Sequence, residues 1–353
     1  MRIAISTSPL SSGHRTRGVG VYTRELIGAL KKNNSVSVHE FSQIREIPKE
    51  VDMIHFTNFD PFFITLPFYI KKPFIVTVHD LIPIIFPEHF PRGVRGELKW
   101  QIQKWNVSYA RRIITDSASS KQDIVKILQR TVDTIDAIAL APNSPFHKQI
   151  SKDAVERVVT KYSLPKRFGV YVGDVNWNKN ILGLLNAWHI LIAKSAIQSG
   201  EKLFLVGQAF LGDSAEAKAI DTCIKKLHLE SSVERVGRVS DEDLPALLSL
   251  SSMCVLASYY EGFGLPVIEA MSAGTIVVTT HGGSLKEIAG PAFICDPNDR
   301  DSIAQKMLEA FSLSQIKREE LIREGHAWAN KFSWDRVAHE TIAVYNTVIN
   351  PSI

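Results

Sequence analysis

The chain predicts an α/β protein made of two doubly wound parallel-sheet domains, and three observations predict it. Its 353 residues exceed what one core usually fills. Short apolar runs alternate with amphipathic helical stretches. That alternation restarts after a polar, proline-punctuated segment, APNSPFHKQISKDAVERVV. Composition agrees, since 45% hydrophobic and 22% charged residues are globular values.

The first series opens with a strand at residues 3–5 and a helix at 21–30. Strands at 53–56, 74–78 and 113–114, a helix at 120–128 and a strand at 137–140 complete it. The second series places strands at 168–172, 203–206, 233–236, 253–256 and 275–278, with helices between. The two meet near residues 142–166, which assigns 1–160 to an N-terminal domain and 161–333 to a C-terminal one. A last helix, over about 334–353, is placed to pack back on the first domain.

Several classes are disfavoured. The start, MRIAISTSPL, carries one arginine and too short an apolar run for a signal peptide, so it reads as a strand and a cytoplasmic location is expected. The most apolar loop, PFFITLPFYI at 61–70, holds two prolines in ten residues, where a membrane-spanning helix needs about 20. Cys223, Cys254 and Cys295 form no CxxC pair, so neither a zinc site nor a disulfide framework is signalled.

Net charge is only +4, yet residues 91–130 hold nine Lys or Arg against three acids. Within this segment Leu98, Ile102, Trp105 and Tyr109 follow helical spacing, which predicts that their face is core and the cations lie elsewhere. Two readings stay open: a solvated helix face, or peripheral contact with an anionic membrane or anionic acceptor. No nucleic-acid motif accompanies the charge, so no nucleic-acid partner is expected.

Ligands of open α/β sheets gather beyond the carboxyl ends of strands. The strand 253–256 leads into SYYEGFG, Pro266 suits the first turn of a helix and Gly274 its close. The helix start then points at Glu261, and the N–H groups of Gly264, Leu265 and Val267, beyond the bend at Gly262 and Phe263, are expected to gather an anion. A carboxylate beside a bound phosphate must accept from neutral donors, and a vicinal diol offers two. Glu261 and Glu269, flanking one phosphate cradle, suit a nucleotide sugar, with Glu261 on the hexose and Glu269 on the ribose. The bland alternative is a loop charge and a first-turn acid favoured by the helix dipole.

The stretch 233–296, with two glutamates separated by seven residues, resembles the donor half of the family 4 retaining glycosyltransferases, which have the GT-B fold. Matching motifs run along nearly the whole chain: RGVGVYTREL (17–26), VTVHDLIP (76–83), RRIITDSASSKQDI (111–124), YVGDVNWNKNILGLL (171–185) and FSWDRVA (332–338). The resemblance implies two Rossmann-like domains facing across a cleft, an acceptor side and a donor side. It implies that Lys179 meets the departing diphosphate, that Gly20 approaches that diphosphate from the acceptor side, and that His79 stands near the transferred sugar. Gly237, Arg238 and Val239 fall on the base side. The family commonly has Arg-Lys-Asn where this chain has Asn178, Lys179 and Asn180, one positive charge fewer.

The implied reaction moves a hexosyl group, mannosyl from GDP-mannose by preference, to a saccharide or lipid-linked acceptor of a surface polysaccharide with retention. Beyond the nucleotide sugar as co-substrate no cofactor is expected. Asp241, Glu242 and Asp243 imitate an Asp-x-Asp metal site, but Ser240 followed by Asp243 reads as a capping box, so no metal is expected either. Asp80 either holds its loop or touches substrate. Rival readings are a nucleotide-binding scaffold without transfer, motivated by Asn178, a solute-binding receptor, and a nicotinamide dehydrogenase. The receptor would need an export signal. For the dehydrogenase Glu40 is correctly spaced, but Thr23 replaces the third glycine of the fingerprint.

Overall fold

A computed structural model describes residues 1–11 and 18–350. Each half of the chain builds one six-stranded sheet, and every recorded strand pair in both is parallel. The first unit comprises Met1–Ala141 and Phe332–Ile353, the second Pro142–Lys331.

The first unit runs β1 (Arg2–Ser6), α1 (Gly18–Lys31), β2 (Ser37–Phe41), β3 (Met53–Phe56), β4 (Phe74–Thr77), α2 (Ile82–Ile85), α3 (Gly93–Ser108), β5 (Arg112–Thr115), α4 (Ala118–Leu128) and β6 (Ile135–Ala137). Sheet order is β2-β1-β3-β4-β5-β6. Central β3 and β4, MIHF and FIVT, are buried at every position, as parallel strands covered on both faces must be. The C-terminal helix Trp334–Ile349 packs against α1. Ser333 caps its start by accepting from the Arg336 N–H (3.3 Å). Its Tyr345 hydroxyl meets Nδ1 of the buried His55 on β3 (2.8 Å), whose Nε2 meets the Thr77 hydroxyl (2.8 Å).

The second unit runs α5 (Lys152–Tyr162), β7 (Phe168–Val172), α6 (Ile181–Ala193), β8 (Lys202–Val206), α7 (Ala215–Lys226), β9 (Val233–Gly237), α8 (Leu244–Leu250), β10 (Met253–Leu256), α9 (Leu265–Ser272), β11 (Val277–Thr279), α10 (Leu285–Ile288), β12 (Phe293–Ile294), α11 (Arg300–Phe311) and α12 (Gln315–Ala329). Sheet order is β12-β11-β10-β7-β8-β9. Trp188 of α6 lies fully buried in its core.

Two expectations are corrected. The chain divides after Ala141, not near 160, because α5 belongs to the second unit: Asp243, just before α8, accepts from Arg157 (2.9 Å) and Lys161 (2.8 Å) of α5. On α3 the expected core face is turned outward, with Leu98 64%, Trp105 51% and Tyr109 57% exposed and Ile102 half-buried. Gly96, Trp100, Gln103, Asn106 and Val107 are buried instead. The amides can go inside because their N–H groups have partners: Gln103 donates to the Asp60 carbonyl (3.1 Å) and Thr65 hydroxyl (2.7 Å), and Asn106 to the Leu66 carbonyl (3.0 Å), though the buried Asn106 Oδ1 accepts from no described group. No helix among the described residues is long and apolar enough to cross a membrane.

Candidate functional site

In the second unit the strand order reverses between β7 and β10, and such a switch point is where open α/β sheets bind ligands. The loops leaving these two strands carry Lys179 and Glu261. After β7 a single turn, Trp177–Lys179, is held by the asparagines on either side of the lysine. Asn178 donates to the Tyr260 carbonyl (2.9 Å), and its own carbonyl accepts from the Tyr259 N–H (2.8 Å). Asn180 adopts the left-handed conformation (φ 53°), caps α6 through the Gly183 N–H (3.2 Å) and donates to the carbonyls of Ala257 (3.0 Å) and Pro297 (2.8 Å). The residue that replaces the family's arginine therefore ties the two loops together.

So anchored, the Lys179 ammonium donates to Glu261 Oε2 (2.6 Å), while Oε1 accepts from the Ser258 hydroxyl (2.7 Å). Glu261 is 5% exposed. Its backbone is fixed by Ser284, whose N–H donates to the Glu261 carbonyl (3.1 Å) and whose hydroxyl lies against the carbonyls of Glu261 (3.1 Å) and Phe263 (2.7 Å). Sequence reasoning placed the two side chains on different parts of a ligand; here they pair directly.

Helix α9 begins at Leu265, with Pro266 in its first turn and Gly274 (φ 80°) just beyond its end. Its cap, Gly264, has φ 95°, and a Cβ there would lie 2.7 Å from Leu285 Cδ2, so only glycine serves. Val267 does not join the expected anion cradle, since its N–H donates to the Gly264 carbonyl (3.0 Å). Gly264 and Leu265 remain as the amides at the helix start. Glu269 is the fifth residue of α9, so the dipole account of a first-turn acid fails. Burial raises its pKa to about 7, the Asn143 N–H opposes this, and Asp241 adds to it.

Sequence reasoning missed Ser258, Ser284, Asn143, Gly173 and Gly207, and placed Gly237 on the base side without seeing the row of glycines it belongs to. Gly173, Gly207 and Gly237 each follow a valine at the end of β7, β8 and β9, a repeated Val-Gly that was the available signal. The Gly173 N–H donates to the Val206 carbonyl (3.0 Å) and the Gly207 N–H to the Gly237 carbonyl (2.8 Å). A Cβ on Gly207 would stand 2.0 Å from the Gly173 carbonyl oxygen. Arg238 is half exposed beside Asp241 (3.9 Å), and Val239 is buried.

The expected residues Gly20 and His79 stand in the first unit. Gly20 is the third residue of α1, within the helix and not at its start; residues 12–17 lie outside the described residues. His79 Nδ1 contacts Asp116 Oδ2 (2.7 Å) and Nε2 the Thr57 carbonyl (3.2 Å), with the Tyr22 ring edge-on at 4.8 Å. Both neighbours are acceptors, so the imidazolium satisfies both ring nitrogens. Burial by itself lowers the His79 pKa, but the Asp116 carboxylate, with Asp80 and the Thr57 carbonyl, turns the net direction upward. Asp80 accepts from the Ile82 N–H (3.0 Å), holding its own loop.

Ser240 accepts from the Asp243 N–H (3.1 Å), one bond of the expected capping box, but α8 begins only at Leu244 with Asp243 as its cap, and the Asp243 carboxylate is occupied by α5. Among the described residues no cluster of three or more His, Cys, Asp or Glu is placed to hold a metal.

The model of the group 1 glycosyl transferases matches residues 154–328, within the second unit. The chain is 30% identical over 273 residues to the O-antigen chain mannosyltransferase B of Escherichia coli, covering 77% of this chain and 69% of that protein. It is 27% identical over 283 residues to the serotype-specific mannosyltransferase WbdA of Escherichia coli, 79% of this chain but only 34% of that longer protein. Among solved structures, Anabaena Alr3699/HepE in complex with UDP and glucose superposes with a TM-score of 0.75 at 17% identity, covering 98% of this chain and 100% of that one, a likeness of GT-B fold. With two six-stranded parallel sheets and a relative matched over most of both lengths, the chain belongs to the group 1 glycosyltransferases.

Proposed function

We propose that the protein transfers a mannosyl group from GDP-mannose to a saccharide or lipid-linked acceptor of a surface polysaccharide, with retention and without a metal, in the cytoplasm at the inner face of the membrane. Similarity to the O-antigen chain and serotype-specific mannosyltransferases of Escherichia coli supports the mannosyl group and the polysaccharide. Family membership displaces the dehydrogenase reading, and Asn178, where the resemblance implies an arginine, has a bonding role of its own between the two loops.

The observation that carries the chemistry is the Lys179–Glu261 pair at the β7/β10 switch point, beside the start of α9. A diphosphate in this place competes with Glu261 for the ammonium. When Lys179 turns to it, a Glu261 oxygen is released to accept from hexose hydroxyls, so donor binding and sugar placement are coupled. Negative charge growing on the diphosphate is met by Lys179 and the amides of Gly264 and Leu265 with little reorganisation. Glu261 is assigned to the hexose hydroxyls in this reading and not to attack on the anomeric carbon. Retention then follows from attack on the face of the departing diphosphate, whose oxygen takes the acceptor proton. Glu269 receives the ribose diol, and the Gly237 to Val239 loop lies on the base side. For His79 and Gly20 the family resemblance carries the assignment.

Neutral isosteres of the two glutamates test this. Glu269→Gln is expected to weaken plain GDP by about 1.5 to 3 kcal/mol, the range for a hydrogen bond to a charged group. Glu261→Gln, which frees Lys179 for the diphosphate, is expected to bind GDP at least as tightly as the parent while turnover falls by about a hundredfold or more. Calorimetry with GDP and UDP, with single-turnover transfer on each folded variant, decides it. Loss of GDP binding in Glu261→Gln with none in Glu269→Gln reverses the assignment, and tighter UDP replaces the donor.

A further inference from the structure

The outward face of α3 is apolar where a helix of a monomer should be polar. Val94, Leu98, Trp105 and Tyr109 recur at four, seven and four residues, which places them on one stripe, and all four are exposed, Val94 by 89%. The neighbouring loop continues it: Phe63, Ile64, Phe68 and Tyr69 are also exposed, Tyr69 by 74%. This loop is fastened to α3 by Gln103 and Asn106, and Lys99 Nζ sits 5.0 Å from the centre of the Phe63 ring. Eight large apolar side chains thus form one patch on a hydrogen-bonded support, more than scattered surface residues explain.

Cations frame it. Arg95 and Lys104 fall on opposite sides of the stripe by helical spacing, and Lys71, Lys72 and Arg111 line a groove of about 1000 Å³ that Phe68, Tyr69, Trp105 and Tyr109 wall. Among the described residues none of these five cations has a salt-bridge partner, whereas Arg92 pairs with Glu97 and Arg112 with Asp136. Apolar side chains within a basic rim complement an anionic bilayer, where chains enter the acyl boundary and cations meet headgroups.

We infer that this face of the first unit seats the protein on an anionic membrane by inserting the α3 stripe and the 61–70 loop, with the groove receiving anionic headgroups. It deepens the proposed function, since only a lipid-linked acceptor gives the seat its purpose, but vesicle binding is read without donor or acceptor. That separates its failure from failure of the transfer reading.

The experiment is flotation of the full chain with phosphatidylcholine vesicles, with or without phosphatidylglycerol. Binding to the anionic vesicles, weakened by salt, is expected. Leu98→Ser with Trp105→Ser is expected to lower it at least tenfold, with the circular dichroism and GDP affinity of the parent kept. Brominated acyl chains are expected to quench tryptophan fluorescence, and Trp105→Phe to remove that quenching while still floating. Equal flotation of parent and double variant, or no quenching, overturns insertion. Self-association lost in the double variant, with vesicles ignored, overturns the membrane as occupant and assigns the face to a second copy.

Discussion

The two units keep their hydrophobic and polar groups by opposite habits. At the switch point of the second, every polar side chain that approaches the expected ligand is secured by another: Asn178 and Asn180 hold Lys179, Ser258 and Ser284 hold Glu261, and glycines let the strand ends approach closely. On α3 of the first, amides are secured inside and large apolar groups are left outside. The family model matches residues 154–328, within the tightly secured unit. A site that must position a diphosphate tolerates little slack, whereas a surface that meets a fluid partner needs only area and charge.

The largest expected effect breaks the tightly packed side of this comparison. Gly207→Ala puts a methyl 2.0 Å from the Gly173 carbonyl oxygen, and the ends of β7 and β8 cannot part without losing the Gly173 N–H to Val206 carbonyl bond. A loss of about 3 kcal/mol or more is expected. Leu98→Ser on the exposed face is expected to stay within about 0.5 kcal/mol. Urea unfolding of both variants checks the contrast, and equal losses end it.

Next comes opposite dependence on pH. His55, buried and uncharged between Tyr345 and Thr77, has its pKa pushed down to about 3 by burial, with His79 adding to the shift. The unfolded chain takes up its proton first, so this stability is lost as pH falls from the ordinary 6.5 towards 3. Glu269 has a raised pKa, so the folded chain holds its proton longer, and stability is lost as pH rises from the ordinary 4.5 through about 7. Each contributes at most about 1.4 kcal/mol per pH unit. Unfolding followed across pH is expected to show the acid slope flattened in His55→Gln and the neutral slope flattened in Glu269→Gln.

The same carboxyl bears on binding. If Glu269 must be ionised to accept the ribose diol, GDP affinity is expected to rise about tenfold between pH 6 and pH 8 around the value of about 7, and to be flat in Glu269→Gln. Calorimetry at the two pH values reads it. The smallest expected effect is none: with charge neutralisation assigned to Lys179 and backbone amides, a chelator is expected to leave transfer intact, and loss restored by magnesium would remove that assignment.

The sequence by itself determined what rests on local chemistry and on linear pattern. Alternating apolar runs specify the two parallel sheets, Pro266 and Gly274 bracket α9, and the spacing of Glu261 and Glu269, with the ordered motifs, marks the family. Only the tertiary structure decided which groups meet. That Lys179 reaches Glu261 across 82 positions depends on β7 and β10 being neighbours, which no periodicity encodes. That α5 joins the second unit depends on Asp243 finding Arg157 and Lys161. On α3 the spacing correctly grouped Leu98, Trp105 and Tyr109 on one face but could not say which way that face turns. Helical period fixes relative direction alone, and the bonds of Gln103 and Asn106 to a loop some 40 residues earlier in the chain chose the inside.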